Sequence, residues 1–269
     1  VVETPNAATI PSSLPTLLAW VVAPTLRERL TADAGAFDLR WLPTQFATPR
    51  EAVVTIADAQ GALLVVETDE ASVVAWLSLV RSDPATRRLP LVALATTDAG
   101  EALATSVRAD AIVTPALLTT SLAQILRDHA QAPADADALR DQCAAPLPEL
   151  VRKGLHEFNT GEYYECHETL EQAWMAEVGP VRDVYRAILQ IGVAYYQIVR
   201  GNYRGAHKMF VRAVQWIGAL PDRCHGIDIA GLRADAMAAR AHLEALGEAN
   251  IAQFDRAMLK PINMDGSHE

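Results

Sequence analysis

What the chain has little of narrows its class first. It has no apolar run long enough to cross a bilayer, which takes about 20 residues. The longest candidate, LPTLLAWVVAP from Leu14, is short and carries no basic leader. It reads as neither a signal peptide nor a transmembrane helix, so no membrane association is expected. Basic charge is scarce: 23 Lys and Arg stand against 33 Asp and Glu, for a formal net charge of −10. Nucleic-acid binders carry a basic footprint, so the balance argues against that class. Cysteine is scarce as well. Cys143, Cys166 and Cys224 are odd in number and none forms a CxxC pair, the usage expected of a reducing cytoplasm.

What is present is a chain of 269 residues, 51% hydrophobic and 21% charged. That is enough for two soluble domains. The two halves follow different patterns. From Leu17 to Ala130, short apolar runs (LLAWVVA, FDLRWL, ALLVVE, LPLVALA, DAIV) alternate with five helical stretches. Such alternation predicts an α/β domain over residues 15–130, with a five-stranded parallel sheet covered on both faces. The expected strand order is the flavodoxin-like 2-1-3-4-5.

The segment SDPATRRLPLVALATTDA, with RADAIVTPALLTTSLAQIL after it, resembles the second half of response-regulator receiver domains. The resemblance implies a signalling role and an interaction face for a protein partner. It also defines what is missing. A receiver needs an acidic pair after β1 for Mg²⁺, an Asp after β3 for phosphate, a hydroxyl after β4 and a Lys before the Pro after β5. Here Ala23 and Pro24 replace the acidic pair, and Thr114 replaces the Lys before Pro115. The β3 end offers Glu67, with Asp69 two residues on, and Ala95 stands at the hydroxyl position with Thr96 following. Without the acidic pair little holds the Mg²⁺ that phosphoryl transfer needs. A glutamate also carries its oxygen one methylene too far out. The domain therefore reads as a pseudo-receiver, with Asp69 as the residual phosphorylation candidate.

Residues 131–148, rich in Ala, Asp and Pro, read as a linker with room for one helical turn. An all-α domain is expected over 149–262, as two αα-hairpins and a fifth helix. Aligning Gly161 with Gly201 reveals an internal repeat of about 40 residues. It sets GEYYECHETLEQAW over GNYRGAHKMFVRAV. Tyr163 meets Tyr203, His167 meets His207, Leu170 meets Phe210 and Trp174 meets Val214. On a helical wheel Tyr163, Cys166, Leu170, Ala173 and Trp174 share the core face. His167 lies within it and Glu171 at its edge, while Glu165, Glu168 and Gln172 point to solvent. At the position of Glu171 the second hairpin has Val211. Helix packing alone therefore does not call for that carboxylate.

Residues four apart on a helix are neighbours. Three readings of His167 and Glu171 stand together. They are a His–Glu hydrogen bond beside the core, a shared divalent metal (Zn, Fe or Mn), and metal-free acid–base chemistry. His207 is the candidate third ligand, with Gln190 and Tyr185 as supporting contacts. No nucleotide cofactor is expected. The stretches FNTGEYYECHETLEQAW and LQIGVAYYQIVRGNYRGAHKMF resemble the prokaryotic family called "domain of unknown function 309". His167, Glu171 and Trp174 match its His-x3-Glu-x2-aromatic signature. The resemblance implies an all-helical fold, no established reaction, and a metal at the His–Glu pair. Arg204, Lys208 and Arg212 form an i, i+4, i+8 stripe, read as a solvated basic face. The whole reads as a regulatory binding protein, with a metal-dependent hydrolase-like enzyme as the alternative and a homo-oligomer as a candidate assembly.

Overall fold

The computed structural model describes residues 14–131 and 136–264. The chain divides into two compact units, one of residues up to Ala52 with Gly61–Gln131 and the other of Val53–Gln60 with the residues after Gln131. The first runs β1 (Thr16–Trp20), α1 (Pro24–Asp33), β2 (Asp38–Trp41), α2 (Pro49–Asp58), β3 (Leu63–Glu67), α3 (Ala71–Ser82), β4 (Leu91–Leu94), α4 (Asp98–Ser106) and β5 (Ala111–Val113). It closes on α5 (Pro115–Leu118) and α6 (Leu122–His129). The strands form one parallel sheet in the expected order, β2-β1-β3-β4-β5. β1 is an inner strand, pairing Leu17 with Leu39 on one side and with Leu63 on the other.

β1, β3 and β4 are apolar without alternation because both faces are covered, whereas the edge strand β2, DLRW, alternates exposed and half-buried residues. Leu17, Ala19, Leu63, Val65 and Val92 pack with Leu26 and Leu30 of α1 and with Leu122 and Leu126 of α6. The intervening Leu18, Trp20, Leu64, Val66 and Ala93 are buried too. After β5 the chain forms two short helices, α5 and α6, rather than one. Thr119 and Thr120 both donate their hydroxyls to the Ala116 carbonyl, at 3.0 and 3.2 Å. Local side-chain bonds of this kind compete with the helix ladder. The parallel topology brings Glu67, Asp69, Thr96 and Thr114 to the carboxyl ends of the strands, where doubly wound sheets place their sites.

The second unit contains α7 (Ala136–Ala144), α8 (Glu149–Asn159), α9 (Tyr163–Ala176), α10 (Arg182–Val199), α11 (Tyr203–Ile217) and α12 (Ile229–Leu246). The helix α7 occupies the stretch read as a linker and is longer than one turn; its Leu139 is buried. Before α12, the segment PDRCHGID forms a small antiparallel hairpin of β6 (Arg223–Cys224) and β7 (Ile227–Asp228). His225 and Gly226 at its turn have φ of 52° and 75°, the left-handed pair that a tight two-residue turn of this hand requires.

The repeat is visible in backbone detail. α8 and α10 both end on a left-handed glycine, Gly161 (φ 82°) and Gly201 (φ 71°). In the first hairpin Gly161 N–H donates to Phe158 and Glu162 N–H to Glu157. In the second, Gly201 N–H donates to Ile198 and Asn202 N–H to Gln197. This is the same Schellman termination twice. Cys166 and Ala206, Leu170 and Phe210, and Ala173 and Ala213 are buried in matching pairs. Phe158, Tyr163 and Tyr195 meet at ring separations of 5.4–5.6 Å and join the hairpins around one aromatic centre.

Candidate functional site

At the carboxyl edge of the sheet the two candidate carboxylates are both engaged. Glu67 ends β3 and is buried. Its Oε2 accepts the backbone N–H groups of Val22 and Ala23 at 2.6 and 2.8 Å. The longer side chain reaches the loop after β1 and satisfies the amides there. Asp69 lies in the next loop and takes four donors. Oδ2 accepts from Thr96 N–H (2.5 Å) and Thr96 Oγ1 (2.7 Å). Oδ1 accepts from Thr97 N–H (3.1 Å) and Thr97 Oγ1 (2.5 Å). Thr97 is also the N-cap of α4, accepting Gly100 N–H at 3.1 Å. A Cβ at position 100 would collide with Asp69 Oδ1, so a glycine there lets the clasp close. Partial burial acts to raise the Asp69 pKa, but the Thr97 and Thr96 donors outweigh it and hold the carboxyl below its ordinary value. Thr114 caps α5 through its carbonyl, which accepts the Leu117 and Leu118 N–H groups. Its side chain makes no capping bond.

On α9, His167 and Glu171 are half-buried. Among the described residues no hydrogen bond or ion pair joins them. His167 Nδ1 instead lies 3.3 Å from Glu168 Oε1, on the exposed side. His207 has a different environment. Its Nε2 is 2.8 Å from Glu244 Oε1 on α12, and its ring stacks on Tyr203. Arg240 Nε donates to the same Glu244 oxygen at 2.8 Å. Burial acts to raise the Glu244 pKa, but Arg240 and His207 together hold it below the usual carboxylate value. The repeat thus places the two histidines equivalently, while α12 supplies a partner only to the second. Val211, equivalent to Glu171, is buried. Among the described residues no three His, Cys, Asp or Glu side chains converge in a group suited to a metal.

Trp174 is half-buried and packs against the core, but it also makes a contact that helical periodicity did not reveal. The guanidiniums of Arg182 and Arg186 on α10 lie 5.2 and 4.8 Å from its ring centroid. Arg186 also lies 4.1 Å from the ring of Trp216 on α11. Three helices therefore meet through one arginine held between two indoles. By helical spacing, Glu171 is one turn before Trp174 on α9, and Gln190 one turn after Arg186 on α10. Two buried polar atoms of this region, Trp174 Nε1 and Gln190 Oε1, find no partner among the described residues. Buried polar atoms normally have one, from protein or water.

Tyr185 does not serve His167. Its hydroxyl lies 3.2 Å from His225 Nε2, and burial followed by the Glu177 charge pushes its pKa up to about 12. Cys166 is a free, buried thiol whose pKa burial pushes up to about 12, with the Glu157 charge adding to the shift. It is therefore an inert core residue. Cys143 and Cys224 form a disulfide across 81 residues. Their spacing gave no sign of it, because docking of α7 on the β6–β7 hairpin is what brings them together. Of the basic stripe, Arg204 is exposed and paired to Glu248 at 2.9 Å, whereas Arg212 is half-buried and leaves the solvated face.

Comparison with a known family places that likeness on this helical unit. The family described as "Domain of unknown function (DUF309)" matches residues 151–209, which include His167, Glu171, Trp174 and His207. An "Uncharacterized protein" of Aquifex aeolicus (strain VF5) is 26% identical over 87 residues, or 32% of this chain. The match spans about a quarter of that relative's own length (26%).

Proposed function

We propose that the chain is a regulatory binding protein that couples a receiver-like unit incapable of accepting phosphate to a helical binding module. The observation that carries this reading is the engagement of both carboxylates at the sheet edge. A phosphoryl acceptor must present a free oxygen beside a bound Mg²⁺. Here the Glu67 oxygen holds two backbone amides and each Asp69 oxygen holds two donors. Ala23 and Pro24 bring no charge to the loop opposite. A sheet edge fixed in one state suits constant docking of a protein partner better than a switched signal. A soluble cytoplasmic setting, with a homo-oligomer as one form of partner, fits this reading.

A second reading, a metal-dependent hydrolase-like enzyme, draws on His167 and Glu171. Both are half-buried and not bonded to one another, so an imidazole and a carboxylate one turn apart are available to a divalent ion. Such an ion would supply a polarising charge. The donor set fits it poorly: catalytic zinc sites use three protein ligands, and His207 is held by Glu244. The binding reading is therefore preferred. Calorimetric titration of the full chain with Mg²⁺, Zn²⁺, Mn²⁺ and Fe²⁺ separates the two. The binding reading expects no saturable Mg²⁺ site. A stoichiometric site for Zn²⁺, Mn²⁺ or Fe²⁺, lost in His167→Ala and in Glu171→Ala, would favour the enzyme.

A further inference from the structure

We propose that the Cys143–Cys224 disulfide is a thiol-responsive clasp on the connector between the two units, and that its reduction by a dithiol frees residues 136–148 while α8–α12 stay folded. The connector is attached mainly at one place. Cys143, at the end of α7, is bonded to Cys224 of the β6–β7 hairpin. The adjacent His225 reinforces the same joint. Its backbone N–H donates to the Cys143 carbonyl at 2.8 Å, and its Nδ1 donates to the Ala145 carbonyl at 2.8 Å. Its Nε2 is then left to accept from Tyr185, which fixes the ring. The Gln142 side chain accepts the Val181 N–H at 2.9 Å. Against these, among the described residues α7 buries one apolar side chain, Leu139, and Leu147 after it packs half-buried on the same core. The bundle fills its own centre with Phe158, Leu170, Ile188, Tyr195 and Phe210, none of them on α7. Removing the covalent bond therefore weakens the attachment of α7 and leaves the bundle core intact.

The two sulfurs differ in access. Cys224 is buried, whereas Cys143 is half-buried. An external thiolate would attack Cys143 Sγ, forming a mixed disulfide and expelling Cys224 as a thiolate that takes up a proton. The second thiol of the dithiol would then displace Cys143 and close the reductant's own disulfide, so two electrons pass to the protein. Disulfides in reducing compartments are usually of this reversible kind. The consequence is that the attachment of α7 to the helical unit is set by thiol poise.

Limited trypsin digestion of the full chain, read by mass spectrometry with and without dithiothreitol, tests this at the exposed Arg140 of α7. Proteolysis follows the population of the opened segment. The low end of a disulfide's usual contribution converts to cleavage after Arg140 about 30-fold faster on reduction, with far-ultraviolet circular dichroism falling by no more than the 9 residues of α7 account for. Cys143→Ser is expected to be cleaved at the fast rate with or without dithiothreitol. Equal rates in both states would overturn the proposal. So would a loss of helical signal on reduction or in Cys143→Ser larger than the 9 residues of α7 account for, which would make the bond a fold staple. Three titratable thiols in air-purified, denatured protein would overturn it as well.

Discussion

Glu67 reaches from the end of β3 to the loop after β1, where its Oε2 accepts the N–H of Ala23 at 2.8 Å. The same oxygen accepts the N–H of Val22. A residue at the expected phosphoryl-acceptor position is thus spent on closing a loop. Glu67→Ala leaves two amides without an acceptor and is expected to cost about 1–3 kcal/mol. Glu67→Gln keeps a single oxygen for both amides and is expected to cost less. Urea unfolding of the variants followed by circular dichroism checks the order, and equal losses would count against the role given to Glu67.

Asp69 gives a pH signature. Its folded-state pKa lies below the ordinary value because four donors outweigh burial. A depressed carboxyl pKa contributes stability that is present above the unfolded pKa, about 3.9. That contribution is lost as the pH falls through the folded value. The sheet unit is therefore expected to weaken below about pH 4, and Asp69→Asn is expected to flatten that part of the profile. Gly100→Ala, which sets a methyl group against Asp69 Oδ1, is expected to lower thermal stability at neutral pH. A Gly100→Ala variant as stable as the parent would contradict the clasp.

The two halves of the repeat make opposite predictions. Glu244 accepts from both Arg240 and His207, so Glu244→Ala is expected to destabilise by about 1–3 kcal/mol. Glu171 has no such bond to His167, and Glu171→Ala is expected to stay within about 0.5 kcal/mol. Chemical denaturation of both variants decides the point. A large loss in Glu171→Ala would restore the structural His–Glu pair.

Arg186 stands between two indoles. Arg186→Ala is expected to cost about 1 kcal/mol and to shift tryptophan emission to longer wavelength as the rings meet water. Unchanged emission would place the arginine outside the ladder.

The sheet order was legible because uninterrupted apolar runs between helical stretches leave few arrangements. The core face of α9 was legible because a 3.6-residue period fixes which side chains share a side. The repeat was legible from Gly161 and Gly201, which recur where the backbone turns left-handed. Partners chosen across helices were not. Glu244 reaches His207 only because α12 lies along α11, and Arg186 meets Trp174 and Trp216 only once three helices stand side by side. The Asp69 clasp left a partial trace in Thr96 and in the N-cap spacing from Thr97 to Gly100. The disulfide left none, because 81 residues part its ends.

The central claim is that the sheet edge carries no working phosphoryl acceptor. Intact mass of the full chain after incubation with acetyl phosphate and Mg²⁺ tests it most directly. The account predicts an unchanged mass for the parent and for Glu67→Asp, because Ala23 and Pro24 still hold no metal. A phosphate-sized gain in the parent that is abolished by Asp69→Ala would contradict it.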